Sequence, residues 1–148
     1  MIDPNKMKKN EIEEILKICI DKEEKEYAIP TAKDWEKLES QLDYTFSETF
    51  KSFIELMSKY SFPGDIYNVL EDNNNGNDTI IYIYKDESQY PEWDKNMIPF
   101  FGIGNGDYFC VCKTNNKIYY FYHDILSFEE YSENMEEWIM ELPDFLEE

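Results

Sequence analysis

The stretch MIPFFGIGNGDYFCVC, residues 97–112, decides the fold that this sequence predicts. Two apolar runs with the composition of β-strands enclose a turn that carries glycine at positions 102, 104 and 106. Glycine reaches positive φ angles at little cost, which aromatic residues do not, so a tight and specified corner between two strands is expected. Asp107 is the one side chain of this turn that could take part in catalysis.

Other strand-like segments lie on both sides of this corner. Runs of β-branched and aromatic residues, such as Ile80 to Tyr84, favour extended structure. Polar stretches at 72–78 and 114–116 are typical of the turns that join such strands. The sequence thus predicts strands at residues 65–71, 79–85, about 97–101, 107–113 and 117–123.

The N-terminal third shows helical periodicity instead. Apolar residues recur at helical spacing within residues 8–20, and again after Thr31 and after Ser47, which can both cap a helix. The apolar positions of the three predicted helices are Ile12, Ile15, Leu16 and Cys19; Trp35, Leu38 and Leu42; and Phe50, Phe53, Ile54 and Met57. The third helix is expected to end near Pro63 and Gly64.

The C-terminal segment predicts one more helix. Ser127-Phe-Glu-Glu130 has the pattern of a capping box and precedes apolar residues at helical spacing. Those residues are Phe128, Tyr131, Met135, Trp138, Ile139 and Leu142. The order of helices, then a strand meander, then a helix predicts an α+β fold. We expect a mostly antiparallel sheet of about five strands flanked by N-terminal helices and a C-terminal helix. Residues 1–148 would form a single domain, with a core at about 31–142 preceded by an N-terminal helix.

The charge excludes some classes of function. The chain has 33 acidic residues against 14 basic ones, a formal net charge of −19. Nucleic acid and anionic membranes both need a basic face, so neither is an expected partner. All basic residues are lysine, which leaves no arginine guanidinium for gripping phosphate. The strong negative charge favours a basic partner, or serves only to keep the surface solvated.

No metal, cofactor or catalytic set is predicted. The single histidine cannot complete a usual zinc site with Cys19, Cys110 and Cys112. In the Asn-rich loop, Gly76 at the sixth position of a calcium loop would put Tyr82 where a bidentate carboxylate is needed. His123 and Asp124 could serve a cysteine nucleophile on a neighbouring strand, or be adjacent by chance. An enzyme that uses paired carboxylates is an alternative function that the sequence leaves open. The N-terminus has no apolar segment typical of a signal peptide, so a cytoplasmic location is expected.

Candidate binding residues come from the loops. Glu92-Trp93-Asp94 places a tryptophan between two acids, and tryptophan is enriched at binding hot spots. The alternative is a tryptophan that folds back onto the core. Together with Asp107 and Asp124, these residues could share one edge of the sheet, so all five are predicted to contact a partner.

Three segments resemble a known family. Thr31 to Leu38-Glu39 resembles one of its helices, and Phe46-Ser-Glu-Thr-Phe50-Lys-Ser-Phe53-Ile54 is similar to the start of the next, with Ser47 in place of the usual proline. Pro99-Phe100 and Asn105-Gly106-Asp107-Tyr108-Phe109-Cys110-Val111 resemble its characteristic strand pair. The family is the SUKH superfamily, named for a fungal regulator of cell-wall glucan synthesis and its bacterial relatives.

The resemblance carries expectations about function. It implies an α+β fold in which a sheet is flanked by helices. It also implies an immunity protein that neutralises a toxin by binding it, since most bacterial members have that role and many of the toxins are basic nucleases. The fungal members imply the alternative, a regulatory scaffold linked to cell-wall synthesis. The family has no established catalytic residues, which implies that the protein is not an enzyme.

Overall fold

The fold was examined in a computed structural model that describes residues 7–19, 29–56, 65–67, 69 and 79–147. The elements in chain order are α1 (Lys9–Cys19), α2 (Ala32–Leu42), α3 (Glu48–Leu56), β1 (Asp65–Ile66), α4 (Ile80–Ser88), β2 (Met97–Gly102), β3 (Tyr108–Cys112), β4 (Ile118–Tyr122), β5 (Ser127–Ser132) and α5 (Met135–Glu147). The α+β architecture predicted from the sequence is confirmed.

The five strands form one antiparallel sheet whose order follows the chain, β1-β2-β3-β4-β5. The predicted corner joins β2 to β3, and the turn at 113–117 joins β3 to β4. In β2 the register with β3 shifts between Pro99 and Phe101. This bulge accommodates a proline, which has no N–H to donate to a ladder.

The main core lies between one face of the sheet and the helices. Its largest buried side chain is Trp138 on α5, which is 1% exposed and packs edge-on against Phe53, Phe100 and Phe109. Helix α1 packs against α3 and α5, so the N-terminal and C-terminal helices meet over the sheet. Helices α1, α2 and α3 contribute the described positions of the apolar stripes that the sequence predicted, including Ile12 and Leu16 of α1.

A second, smaller apolar cluster lies on the other face of the sheet. Along β3, Phe109 and Val111 join the main core, whereas Cys110 and Cys112 join the second cluster. This alternation is the two-residue period of a strand, and it places the two cysteines on the same face. The remaining buried members of the second cluster are Trp93, Met97 and Phe121.

The predicted caps of α2 and α3 are confirmed. Thr31 Oγ1 accepts a hydrogen bond from Asp34 N, and the Asp34 carboxylate accepts one from Thr31 N, which completes the capping box. Ser47 Oγ accepts from Phe50 N at the start of α3. These contacts satisfy amide groups that have no partner within the first turn of a helix.

The three glycines of the β2–β3 corner serve different purposes. Gly104 and Gly106 have φ angles of +106° and +97°, as predicted for a glycine turn. Gly102 does not adopt a positive φ, so that part of the prediction is wrong. It is required for space, because a Cβ at this position would collide with the hydroxyl of Tyr67.

The predicted strand at 79–85 is wrong, because this segment is helix α4. Thr79 Oγ1 caps the helix by accepting from Tyr82 N at 3.2 Å. Ile80 is fully buried, and Ile83 and Tyr84, three and four residues further on, pack against the same core. The β-branched composition suggested a strand, but packing of one helical face against the core outweighs that weak preference.

The predicted helix start at Ser127 is also wrong. Residues 127–132 form β5, which pairs with β4, and Phe128 and Tyr131 belong to this strand. Helix α5 begins at Met135 instead, and its cap is Asn134, whose Oδ1 accepts from Glu137 N at 2.8 Å. The remaining predicted positions do form its buried face, namely Met135, Trp138, Ile139 and Leu142.

Some predictions fall outside the described residues. These are the loop at 72–78 with Gly76, the predicted strand at 65–71 beyond residues 65–67 and 69, the side chain of Cys19, Met57, and the end of the third helix near 63–64. Within the described segments, none of the helices combines the length and apolarity that a membrane span requires.

Candidate partner-binding surface

Two turns meet at one end of the sheet and form a surface that we call the turn edge, residues 103–107 and 123–126. The first turn joins β2 to β3 and the second joins β4 to β5, so the antiparallel order brings both to the same end. Two predicted binding residues, Asp107 and Asp124, lie on this surface. The sequence expectation of a shared edge therefore holds for this pair.

Asp107 fastens the two turns together. Its Oδ1 accepts a hydrogen bond from His123 N, and its Oδ2 accepts one from the Tyr120 hydroxyl, each at 2.8 Å. Burial and this hydrogen bond to Asp107 raise the pKa of Tyr120, so the phenol remains a donor at neutral pH. Asp107 thus positions the turn edge, and both of its carboxylate oxygens already accept bonds within the chain.

The β4–β5 turn presents apolar side chains to solvent beside the acidic ones. Ile125 is 69% exposed and Leu126 is 49% exposed, and Leu126 adopts a left-handed φ of +52°. Asp124 precedes them and is also exposed. An exposed apolar pair flanked by a carboxylate resembles the centre and rim of a protein interface.

Further carboxylates surround the turn edge on the α4 side. Glu87 of α4 accepts a hydrogen bond from the Tyr108 hydroxyl at 3.2 Å. Burial raises the pKa of Glu87, the nearby charges of Asp86 and Glu92 raise it further, and the Tyr108 hydrogen bond and His123 lower it. Glu92 is therefore near enough to Glu87 to act on its charge, so a third predicted residue belongs to the anionic region around Glu87.

Trp93 faces the protein interior. It is 5% exposed, its Nε1 donates to the Met97 carbonyl at 3.2 Å, and its ring centroid lies 5.0 Å from those of Phe121 and Phe128. The alternative prediction, a tryptophan that folds back onto the core, is confirmed. Its contribution to binding would be to hold the loop that carries Glu92.

Asp94 is exposed and organises the chain that leads into β2. Its Oδ1 accepts from Asn96 N at 2.9 Å, and its carbonyl accepts from Met97 N at 2.9 Å. The described contacts connect Asp94 to this loop and not to the turn edge.

The chain matches a known protein family over most of its length. The SUKH_5 model, described as SMI1-KNR4 cell-wall, matches residues 7–144. The chain belongs to the SUKH superfamily. The resemblance inferred from the three sequence segments is confirmed, and the match also extends over α1 and most of α5.

The SUKH fold of this chain is similar to that of a solved structure. A crystal structure of a protein from Pseudomonas syringae pv. tomato superposes with a TM-score of 0.69 over 94% of this chain and 99% of that chain. The two sequences are 17% identical, so the likeness concerns the fold alone. The comparison with curated proteins produced no significant match.

Sequence reasoning missed three residues of this SUKH surface. Glu87 was overlooked because its segment was taken to follow a strand, and only helix α4 brings its carboxylate to Tyr108. Ile125 and Leu126 were overlooked because a helix was expected to begin directly after them. The sequence signal that could have revealed them is the apolar pair itself, because Ile125 and Leu126 stand between a predicted strand and polar residues.

The buried cysteines of the second cluster are poorly suited to nucleophilic attack. Cys110 is 0% exposed, and burial raises the pKa of its thiol well above the ordinary value, so the thiol remains protonated. His123 is exposed at the turn edge, where its backbone N–H bonds to Asp107. Across the part of the chain that the structure describes, no group of three or more His, Cys, Asp or Glu residues could hold a metal ion.

Proposed function

We propose that this protein is an immunity-type binding protein that neutralises a cognate, basic toxin in the cytoplasm by direct binding and without turnover. Membership of the SUKH superfamily supports the binding role, because most bacterial members of this superfamily neutralise toxins by binding them. The net charge of −19 supports a basic partner. The observation that carries the proposal is the combination of this charge with an exposed apolar pair at the turn edge.

Charge and apolar contact have separate roles in this proposal. Carboxylates such as Glu92 and Asp124 attract a basic protein over long range and raise the association rate. Ile125 and Leu126 supply apolar area that is removed from water once the partner has docked. The SUKH chain would then cover the functional surface of the toxin. Inhibition of this kind needs no catalytic group in the SUKH chain.

The direct test is co-expression with the product of the adjacent gene. The expected results are a complex that survives two purification steps and relief of that product's toxicity. The association rate should fall at least tenfold between low and high salt, as steered associations do. If no complex forms and toxicity is not relieved, the proposal is contradicted.

A second candidate function is a regulatory scaffold for cell-wall synthesis. The description of the matching family model, which refers to the cell wall, favours it. Cells lacking the protein would then show altered cell-wall glucan or peptidoglycan content while no toxin gene is present. A wild-type wall in such cells would exclude this alternative.

A further inference from the structure

A groove of about 580 Å³ lies at the opposite end of the sheet from the turn edge, between the α2–α3 connection, the β3–β4 turn and the start of α5. Its volume is within the range of small-ligand sites. Its lining residues are Tyr44, Thr45, Phe46, Ser47, Phe50, Val111, Asn115, Asn116, Glu133, Asn134, Met135 and Glu136. We call it the α5 groove.

One wall of the α5 groove is aromatic. The Phe46 and Phe50 rings stack with centroids 4.5 Å apart, and the Tyr44 ring meets Phe46 edge-on at 5.1 Å. The Tyr44 hydroxyl donates to Asn116 Oδ1 at 2.6 Å, which fixes the ring against the β3–β4 turn. Burial and the nearby Cys112 and Glu39 raise the pKa of Tyr44 to about 12, so this donor stays protonated.

The opposite wall is anionic. Glu136 is only 6% exposed although it carries a carboxylate, and it lies in the first turn of α5, where the helix dipole stabilises negative charge. Glu133 adds a second carboxylate whose side chain is 63% exposed. Lys117 Nζ lies 3.8 Å from the Glu133 carboxylate but closer, 3.0 Å, to that of Glu130. The described lining itself contains no lysine.

The asparagines of the groove are occupied by structural roles. Asn134 caps α5, Asn115 Oδ1 accepts from Lys117 N, and Asn116 accepts from Tyr44. The recognition chemistry of the groove is therefore carried by the half-buried Tyr44 ring, which the buried Phe46 and Phe50 support, and by the carboxylates of Glu133 and Glu136. A cation with a flat, weakly hydrated face matches both walls, because it can stack on a ring and bond to a carboxylate at once.

We propose that the α5 groove receives an arginine side chain presented by the protein partner. This inference rests on the proposed function and names one contact within it. A guanidinium is planar and more weakly hydrated than an ammonium, so it fits better than lysine between aromatic and acidic walls. This chain contains no arginine, so the guanidinium has to come from another molecule.

The first experiment uses N-acetyl-arginine amide as the probe and isotope-labelled full-length protein. We expect saturable chemical-shift changes at the amides of Asn115, Asn116 and Asn134, with a dissociation constant of about 10 mM or tighter. N-acetyl-lysine amide should bind more weakly, and N-acetyl-glycine amide should produce no saturable change. An absence of saturable shifts with the arginine probe would overturn the proposal.

Charge-neutral variants test the anionic wall. Glu136→Gln should weaken probe binding about tenfold, as expected for loss of a charge-assisted hydrogen bond. Glu133→Gln, at an exposed position that does not endanger folding, should weaken it several-fold. Glu14→Gln on α1 is the matched control, since its carboxylate is 76% exposed, lies outside the groove and carries the same charge. Equal affinity of all three variants for the probe would overturn the proposal.

The partner itself separates the two proposals. If the wild-type protein binds the toxin and Glu133→Gln weakens that complex no more than Glu14→Gln does, the groove proposal fails and the immunity proposal stands. If the probe binds as expected but no protein partner is found, the immunity proposal fails and the chemistry of the groove stands.

Discussion

Helices cover one face of the sheet, whereas on the other face, within the described segments, the loop after α4 inserts Trp93. The helical side buries Trp138 among Phe53, Phe100 and Phe109, and most of the buried apolar residues belong to it. Among the residues that the structure describes, the cluster on the loop side has five buried members, of which Trp93 is the largest. The helical face therefore contains most of the buried apolar area, and the loop face holds the segment that carries Glu92 near Glu87.

The largest expected effect is on the helical face. Trp138→Ala removes a side chain that is 1% exposed and should lower the free energy of unfolding by about 4 kcal/mol. Urea denaturation monitored by circular dichroism measures this loss. Met140→Ala on the same helix is the control, because Met140 is 59% exposed and its loss should cost about 0.5 kcal/mol or less.

The loop face should respond less. Trp93→Ala should cost about 3 kcal/mol, because fewer groups pack on the indole. Hydrogen exchange should accelerate at residues 89–96 while the amides of α5 stay protected. Trp93→Phe keeps a ring in place and loses the bond to the Met97 carbonyl, at a cost of about 1 kcal/mol. A larger loss for Trp93→Ala than for Trp138→Ala would break the comparison.

At the turn edge, the two glycines with positive φ should differ. Gly106→Ala combines an unfavourable φ with a Cβ placed 2.9 Å from His123 Cγ, and should cost about 2 kcal/mol. Gly104→Ala has the same backbone problem but open space around its Cβ, and should cost about 1 kcal/mol. Thermal unfolding distinguishes them. Equal losses would mean that His123 moves away at no cost.

The smallest effect concerns pH. Because burial first of all raises the pKa of Glu87, the folded protein holds this proton more tightly than the unfolded chain. The contribution of Glu87 is present below the ordinary glutamate pKa and is lost as pH rises through the raised value. Glu87→Gln should therefore stabilise the protein slightly at pH 7 relative to wild type, and should not do so at pH 4.

The midpoint of thermal unfolding at the two pH values measures the Glu87 effect, with Glu14→Gln as the exposed control. The gain at pH 7 is small because Glu87 is only half-buried and solvent screens its charge. A Glu87→Gln variant that is less stable than wild type at pH 7 would show that the ionised Glu87 bond to Tyr108 outweighs the burial of its charge.

Short-range chemistry accounts for the parts of the fold that the sequence predicted well. The capping box at Thr31, the serine cap at Ser47 and the glycine corner at 104–106 depend on bonds and φ angles within a few residues, so they can be recognised in the sequence. The two errors in secondary structure concern segments whose local pattern suits both helix and strand. Pairing with β4 selects the strand at 127–132, and core packing selects the helix at 80–88.

The candidate site shows the same division. Asp107 and Asp124 were predicted to share an edge, which follows from consecutive antiparallel hairpins. The inward orientation of Trp93 and the position of Glu87 depend on which face of the sheet the loop and α4 cover. No local pattern specifies that choice.

By itself, the sequence determined the SUKH membership, the strands β2 to β4, the caps of α2 and α3, and the anionic character of the chain. Each of these depends on composition or on residues close together along the chain. Only the tertiary structure decided the helix at 80–88, the fifth strand, the burial of Trp93 and the existence of the α5 groove. These depend on contacts between distant segments, whose free energy exceeds the small preferences of single residues for helix or strand.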